Sequence, residues 1–321
     1  MVVRRLKRQL LYSRPNRRVI RWGQGVVLPG FEGFSLYHIS RFFFRALRRG
    51  DIVMRASAIS FKLFTALFPA LIVLLTLIPF IPIPNFQEQL LGAFRNMLPL
   101  EVYRFIESLL HDLVLKKHGA LLSVSFILGL YFASNSMNAI LSGFSSSYHV
   151  THWHSPLRQR LLSIGLMFVL TVLCVVATGL NTTSSWLLAH LHLKGHTLAG
   201  LERFAFYFVK WAITTLLVLS AISLLYACAP GTRRFKLITP GAILALFLIF
   251  ALSQALAFFF DHITNYNALY GSIGAILVVQ LWIYLNMIVL LVGFELNTSI
   301  AVACALQQRS LRRPPDRGLE R

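Results

Sequence analysis

Between Gly271 and Leu296 the only strongly polar side chains are Ser272, Gln280, Asn286 and Glu295. A helix over this stretch can cross a hydrocarbon core of about 30 Å, with some tilt to spare. A soluble helix of that length would carry a charged face, and here no charge appears before Glu295. The stretch reads as a membrane span. At about 100° per residue, Gln280, Tyr284 and Glu295 fall within roughly 60° of one another, while Trp282 and Asn286 lie on the opposite half. Lipid satisfies no polar group, so this stripe must face other helices or water. The span belongs inside a bundle.

Five further stretches share its character: residues 56–81, 120–144, 161–189, 206–229 and 239–260, with 271–296 as the sixth. Hydrophobic residues make up 56% of the 321 and mean hydropathy is +0.67, which excludes an ordinary soluble protein. The expected fold is an all-α polytopic membrane protein with six transmembrane helices. Residues 1–33 form a basic arm broken by Pro15, Gly23, Gly25, Pro29 and Gly30, residues 34–300 the membrane domain, and 301–321 a basic tail. Before the first span, residues 35–50 set Arg41, Arg45, Arg48 and Arg49 beside Phe42, Phe43 and Phe44, which predicts an amphipathic helix at the headgroups. Residues 86–117 show helical spacing (Leu90, Phe94, Met97, then Val102, Phe105, Leu109, Leu113) without span-length hydrophobicity, and Pro99 divides them. They predict two amphipathic helices on the outer face of the bundle. No inverted repeat of the transporter type is visible.

Orientation follows from the basic residues. Of the 31 Lys and Arg, 23 fall on the side of the N-terminus and 6 on the other, with Lys62 and Lys210 inside spans. Both termini are therefore expected in the cytoplasm. The net charge of +20 points to anionic phospholipid at the cytoplasmic face. Nucleic acid is not an expected partner, since the basic stretches form no RNA-binding module pattern. No signal peptide is expected, because the first apolar run begins only after Arg55. Cys174, Cys228 and Cys304 lie in or beside separate apolar segments without CxxC spacing, as small apolar residues would.

Catalytic chemistry finds little to build on. His149, His152 and His154 cluster in HVTHWH, but no Asp or Glu occurs between Asp112 and Glu202 to complete a zinc hydrolase site. His190, His192 and His196 lie on the opposite side under this topology, so neither a metal nor a cofactor is expected. No GxSxG elbow, Walker loop or GxGxxG is present, and GSIG at 271–274 reads as a helix-packing patch. The chain is not expected to be an enzyme.

What remains is the intramembrane polar set. Tyr131, Ser134, Asn138 and Ser142 share an arc of about 80° on the second span, with Asn135 beside them. With Gln280, Tyr284 and Glu295 they could line a path for a polar solute or a lipid headgroup. The same residues serve equally as hydrogen-bonding glue between helices. Lys62, about 9 Å into the first span, is expected to pair with Glu295, since both lie toward the cytoplasmic side.

Several segments resemble the YihY/BrkB family of bacterial inner-membrane proteins: RASAISFKLFTALFP at 55–69, SNSMNAI at 134–140 with Tyr148, and Pro240-Gly241-Ala242. Tyr266, Tyr270-Gly271-Ser272, Trp282, Tyr284 and LLVGFELN at 290–297 complete the pattern, which covers about residues 41–297. Two departures stand out: Phe294, where a small residue is expected between Gly and Glu, and the charge of Lys62 in the first span. The resemblance implies a six-helix, multi-pass inner-membrane protein, described in that family as a transporter or a virulence-associated factor. The family's older ribonuclease BN label finds little support here. Two function classes follow: a transporter or lipid-handling protein acting on a solute or lipid, and a membrane scaffold without translocation. An oligomer is left open.

Overall fold

The computed structural model describes residues 35–49, 51–97, 100–147, 155–193, 200–230, 238–262 and 266–312. Nine α-helices and one 3₁₀ turn make up the described elements. They are α1 (Leu36–Arg49), α2 (Ile52–Leu77), α3 (Phe86–Met97), α4 (Leu100–Leu115), α5 (Gly119–Ser145), α6 (Pro156–Leu193), α7 (Gly200–Ala227), α8 (Pro240–His262) and α9 (Tyr266–Arg312), with the 3₁₀ turn Ile78–Phe80 closing α2. Six of them, α2 and α5 to α9, are long and apolar enough to cross a membrane. The all-α, six-span expectation holds.

The boundaries shift where sequence patterning is weakest. The first span begins at Ile52, because the short polar run around Arg55 is simply the first turn of α2. The sixth helix does not stop near Leu296 but continues to Arg312, so the first part of the basic tail is helical. Against this extension lies α1, which buries Ile39 on Ile300, Leu296 and Cys304 and leaves Arg41, Arg45 and Arg48 exposed. That is the predicted amphipathic helix. The arm 1–33 and the HVTHWH stretch lie outside the described residues.

In the first connection, α3 and α4 pack together through Leu91, Tyr103, Leu110 and Val114 against Leu75 and Ile78 at the end of α2. Leu109 instead faces outward, one position off the expected stripe. Gln87 donates to the carbonyls of Ile78 and Ile81, which also accept the amides of Ile81 and Ile83, and so fastens α3 to the turn where prolines end the span.

The spans are arranged as a ring. Each packs on two neighbours in the order α2, α5, α6, α7, α8, α9 and back to α2. Burial is concentrated at one end of that ring, the terminal face at which α2 begins and α9 leaves the bilayer. Ile52, Ala56 and Ile59 of α2, Ala139 to Phe144 of α5, and Leu219 to Tyr226 of α7 form its core with Ala242 and Ala245 of α8 and Leu290, Leu291 and Phe294 of α9. In the opposite halves the described parts of α6, α7 and α8 contain no buried residue past Met167, before Leu219 and past Ala245. The α6–α8 side of the ring is tight at the terminal face and loose at the other, whereas the far end of α2 is covered by α3 and α4.

Candidate functional site

The tight end is organised by four residues in little more than one turn of α9: Gly293, Phe294, Glu295 and Asn297. Gly293 and Asn297 point at α8. A Cβ on Gly293 would collide with the Tyr226 hydroxyl and the Gly241 carbonyl, and one on Gly241 would collide with the Gly293 carbonyl. Glycine at both positions lets the two backbones touch. Asn297 then secures the contact. Its Oδ1 accepts from the Gly241 amide at 2.8 Å, and its Nδ2 donates to Thr239 Oγ1 at 3.0 Å. The Gly241 amide lies in the first turn of α8, where helix N–H groups lack an internal partner, and Thr239 caps Ala242 in the same turn.

Phe294 fills the centre of the ring. It stacks on Phe144 of α5 at 4.5 Å between centroids and meets Tyr226 of α7 at 5.8 Å. Phe144 and Tyr226 complete the triangle at 5.6 Å. These aromatics come from alternate members of the ring, and each is at most 2% exposed. The Tyr226 hydroxyl donates to the Leu290 carbonyl at 2.7 Å, which satisfies the one polar group the cluster buries. The departure noted at Phe294 is therefore structural: a small residue there would leave the ring without its central contact.

Glu295 faces α2. Arg55 donates through one guanidinium nitrogen to Glu295 Oε1 at 2.7 Å and through the other to the Gly143 carbonyl at 2.7 Å. Ser147 donates to Glu295 Oε2 at 2.8 Å. Gly143 is among the last four residues of α5, whose carbonyls have no partner within the helix, so the arginine also caps that helix. One side chain thus joins α2, α5 and α9. Among the described residues Arg55 Nε is buried without a hydrogen-bond partner.

The expected Lys62–Glu295 pair is not formed. Lys62 is exposed, and its backbone carbonyl accepts from Ser136 of α5 at 2.8 Å. Depth explains the correction. Glu295 sits close to the terminal face, level with the first turn of α2, whereas Lys62 lies two turns, about 10 Å, deeper than Arg55. An arginine also grips a carboxylate and a carbonyl at once, which an ammonium cannot do with the same geometry.

The two polar stripes also separate. On α9 the stripe faces α2: Gln280 reaches Ser60 at 3.5 Å, Tyr284 packs against the core, and Glu295 takes Arg55. On α5 it faces α6. Gln159 donates to Asn138 Oδ1 at 2.9 Å and to Ser142 Oγ at 2.7 Å, and Arg160 lies 5.8 Å over the exposed ring of Tyr131. Ser134 is buried, with its hydroxyl unpartnered among the described residues, and Asn135 is half-buried. The polar residues of the second and sixth spans therefore do not line one common path. Sequence reasoning also missed Arg55, Ser147, Gln159 and Asn297. Arg55 was readable as a cation at the start of the first span, near the depth of Glu295, and Asn297 as a polar residue two positions from Glu295. Nothing in the sequence marked Gln159 or Ser147.

A family profile described as Virulence factor BrkB matches residues 43–317. The ribonuclease-like protein YfkH of Bacillus subtilis (strain 168) is 30% identical over 244 residues, covering 76% of this chain and 88% of the relative. A UPF0761 membrane protein of Alkalilimnicola ehrlichii is 26% identical over 289 residues, covering 86% of this chain and 60% of its own length. Another, from Pseudoalteromonas translucida, is 37% identical over 79 residues, 24% of this chain and 26% of that protein. No solved structure matches.

Proposed function

The chain belongs to the BrkB family of membrane proteins, and on that premise we propose that it is a transporter or lipid-handling protein of the bacterial inner membrane. In this reading the ring is closed at the cytoplasmic face and open at the other. The observation that carries it is the one-sided burial. The Phe144–Tyr226–Phe294 cluster and the Arg55–Glu295–Ser147 latch seal one end, while at the other the described far halves of α6, α7 and α8 bury no residue. A bundle built only to sit in lipid has no reason to pack one end and leave the other loose. A transporter resting with one gate shut does. The 23-to-6 distribution of Lys and Arg supports a cytoplasmic location for the sealed end.

The reading is non-catalytic. Apart from Arg55 Nε, Ser134 Oγ and Gln280 Oε1, the buried polar side-chain groups among the described residues are occupied by hydrogen bonds, and the ribonuclease-like name belongs to YfkH. A second reading, a membrane scaffold without translocation, is favoured by one observation: both polar stripes bond to neighbouring helices, as packing glue would.

Gln280 separates the two readings. It lies about 21 Å along α9 from Tyr266, at mid-membrane depth, and one of its side-chain atoms is buried without a partner. In a cysteine-free background, Gln280→Cys is expected to react with a small, charged thiol reagent added from the side opposite the termini. Reaction only with a lipid-soluble reagent overturns the transport reading and leaves the scaffold.

A further inference from the structure

Between α6 and α7, toward the terminal face, lies a hollow of about 340 Å³. Leu161, Gly165 and Val169 form its α6 wall, at four-residue intervals along one helix face, while Leu224 and Cys228 supply the α7 wall. Arg158, in the first turn of α6, is the one charged residue lining it. The lining offers no other strong hydrogen-bonding side chain, so it suits a hydrocarbon chain and gives a polar metabolite nothing to bind. Gly165 makes the hollow. A Cβ there would meet nothing within 4 Å, whereas the close-packed Gly241 and Gly293 have no such space.

Arg158 supplies the second half of the argument. It is exposed and makes no ion pair or hydrogen bond among the described residues. Its neighbour Arg160 is engaged over Tyr131. A free guanidinium two residues into a span sits at headgroup depth, and the N-terminal end of α6 adds positive potential beside it. An apolar groove with a lone cation at its headgroup end is complementary to one amphiphile. We infer that this groove holds an anionic phospholipid of the terminal-face leaflet, with its phosphate on Arg158 and an acyl chain over Gly165. The site lies in the ring wall and stands independently of the transport reading.

Native mass spectrometry of the full chain, released from nanodiscs of equal phosphatidylglycerol and phosphatidylcholine, tests this. The wild type is expected to retain one phosphatidylglycerol in preference to phosphatidylcholine. Arg158→Gln should lower that preference about fivefold, the effect of one basic side chain at a membrane surface. Gly165→Phe should fill the groove and abolish retention of either lipid. Equal retention of the two lipids by the wild type, unchanged retention in Gly165→Phe, or a lipid-free dimer at this face would each overturn the site. Should Gly165→Phe fail to fold, Cys228 gives an independent reading in a Cys174→Ser, Cys304→Ser background. Added phosphatidylglycerol, and not phosphatidylcholine, is expected to slow alkylation of Cys228 in detergent. An unchanged rate overturns the site as well.

Discussion

Glu295 has no exposed surface, and both of its carboxylate oxygens are held, one by Arg55 and one by Ser147. A buried ion pair adds little net stability when measured against an apolar replacement of both partners, but removing one partner leaves a charge in a medium that cannot solvate it. Arg55→Gln and Glu295→Gln are each expected to destabilise the protein by about 3–5 kcal/mol. The double variant should fall short of the summed loss by at least about 1 kcal/mol. Lys62→Met should change stability by no more than about 0.5 kcal/mol, since that side chain is exposed and unpaired. Unfolding in detergent titrated with denaturant checks all four. Strict additivity would show that the 2.7 Å contact contributes no coupling. Glu295 itself was legible in the sequence because a carboxylate at span depth is costly without a partner. Its partner was misassigned because hydropathy places Arg55 outside the span. Only the true start of α2 brings it to the right depth.

At the scale of elements, periodicity and hydropathy were enough for the six spans, α1 and the α3–α4 hairpin, because each buries a face whose spacing is written in the chain. They could not show where α9 ends, since its extension is amphipathic and rests on α1 rather than in lipid. Nor could they show which spans are neighbours, because a polar stripe reveals that a helix has a partner and not which one. The turn that leads from α4 into α5 carries its own electrostatic fastening. Asp112 sits 2.7 Å from Lys116, and its carboxylate lies 3.1 Å from His118 Nε2. The hydrogen bond from Lys116, more than the charges of Lys116 and His118, holds the Asp112 carboxyl below its ordinary value of 3.8. A lowered folded-state pKa means the contribution is complete above about pH 3.8 and fades as pH falls through the folded value. Hydrogen exchange at residues 112–118 should therefore accelerate on acidification below about pH 3.8, beyond the intrinsic change. Asp112→Asn should show the faster exchange at every pH and lose the extra acid dependence. The effect should be small, because the group is solvent-screened. A wild type indistinguishable from Asp112→Asn at neutral pH would show that the contact does not order the turn.

For the whole molecule, ring order and one-sided packing make a single claim about direction. Contacts that cross the ring occur where Phe144, Tyr226 and Phe294 meet and where Ser147, just past α5, donates to Glu295 of α9 beside Arg55. All of these lie at the face where α2 begins. By the chain order of the six spans, 23 of the 31 Lys and Arg fall in segments on the terminal side and 6 in segments on the other. Translocating Lys and Arg in short loops is disfavoured, so the basic, sealed end should be cytoplasmic and the loose end should face outward. Two exposed positions report on this directly: Ser155, just before α6, and Lys117, just before α5. In intact cells carrying a cysteine-free version, Lys117→Cys is expected to react with a membrane-impermeant maleimide. Ser155→Cys should react only after the membrane is permeabilised. Neither position touches the latch or the aromatic cluster, so both variants should keep the native fold. The reverse pattern would turn the molecule over, placing the sealed end outside and the loose end toward the cytoplasm. The gate reading would then describe a protein that waits for its cargo from within the cell.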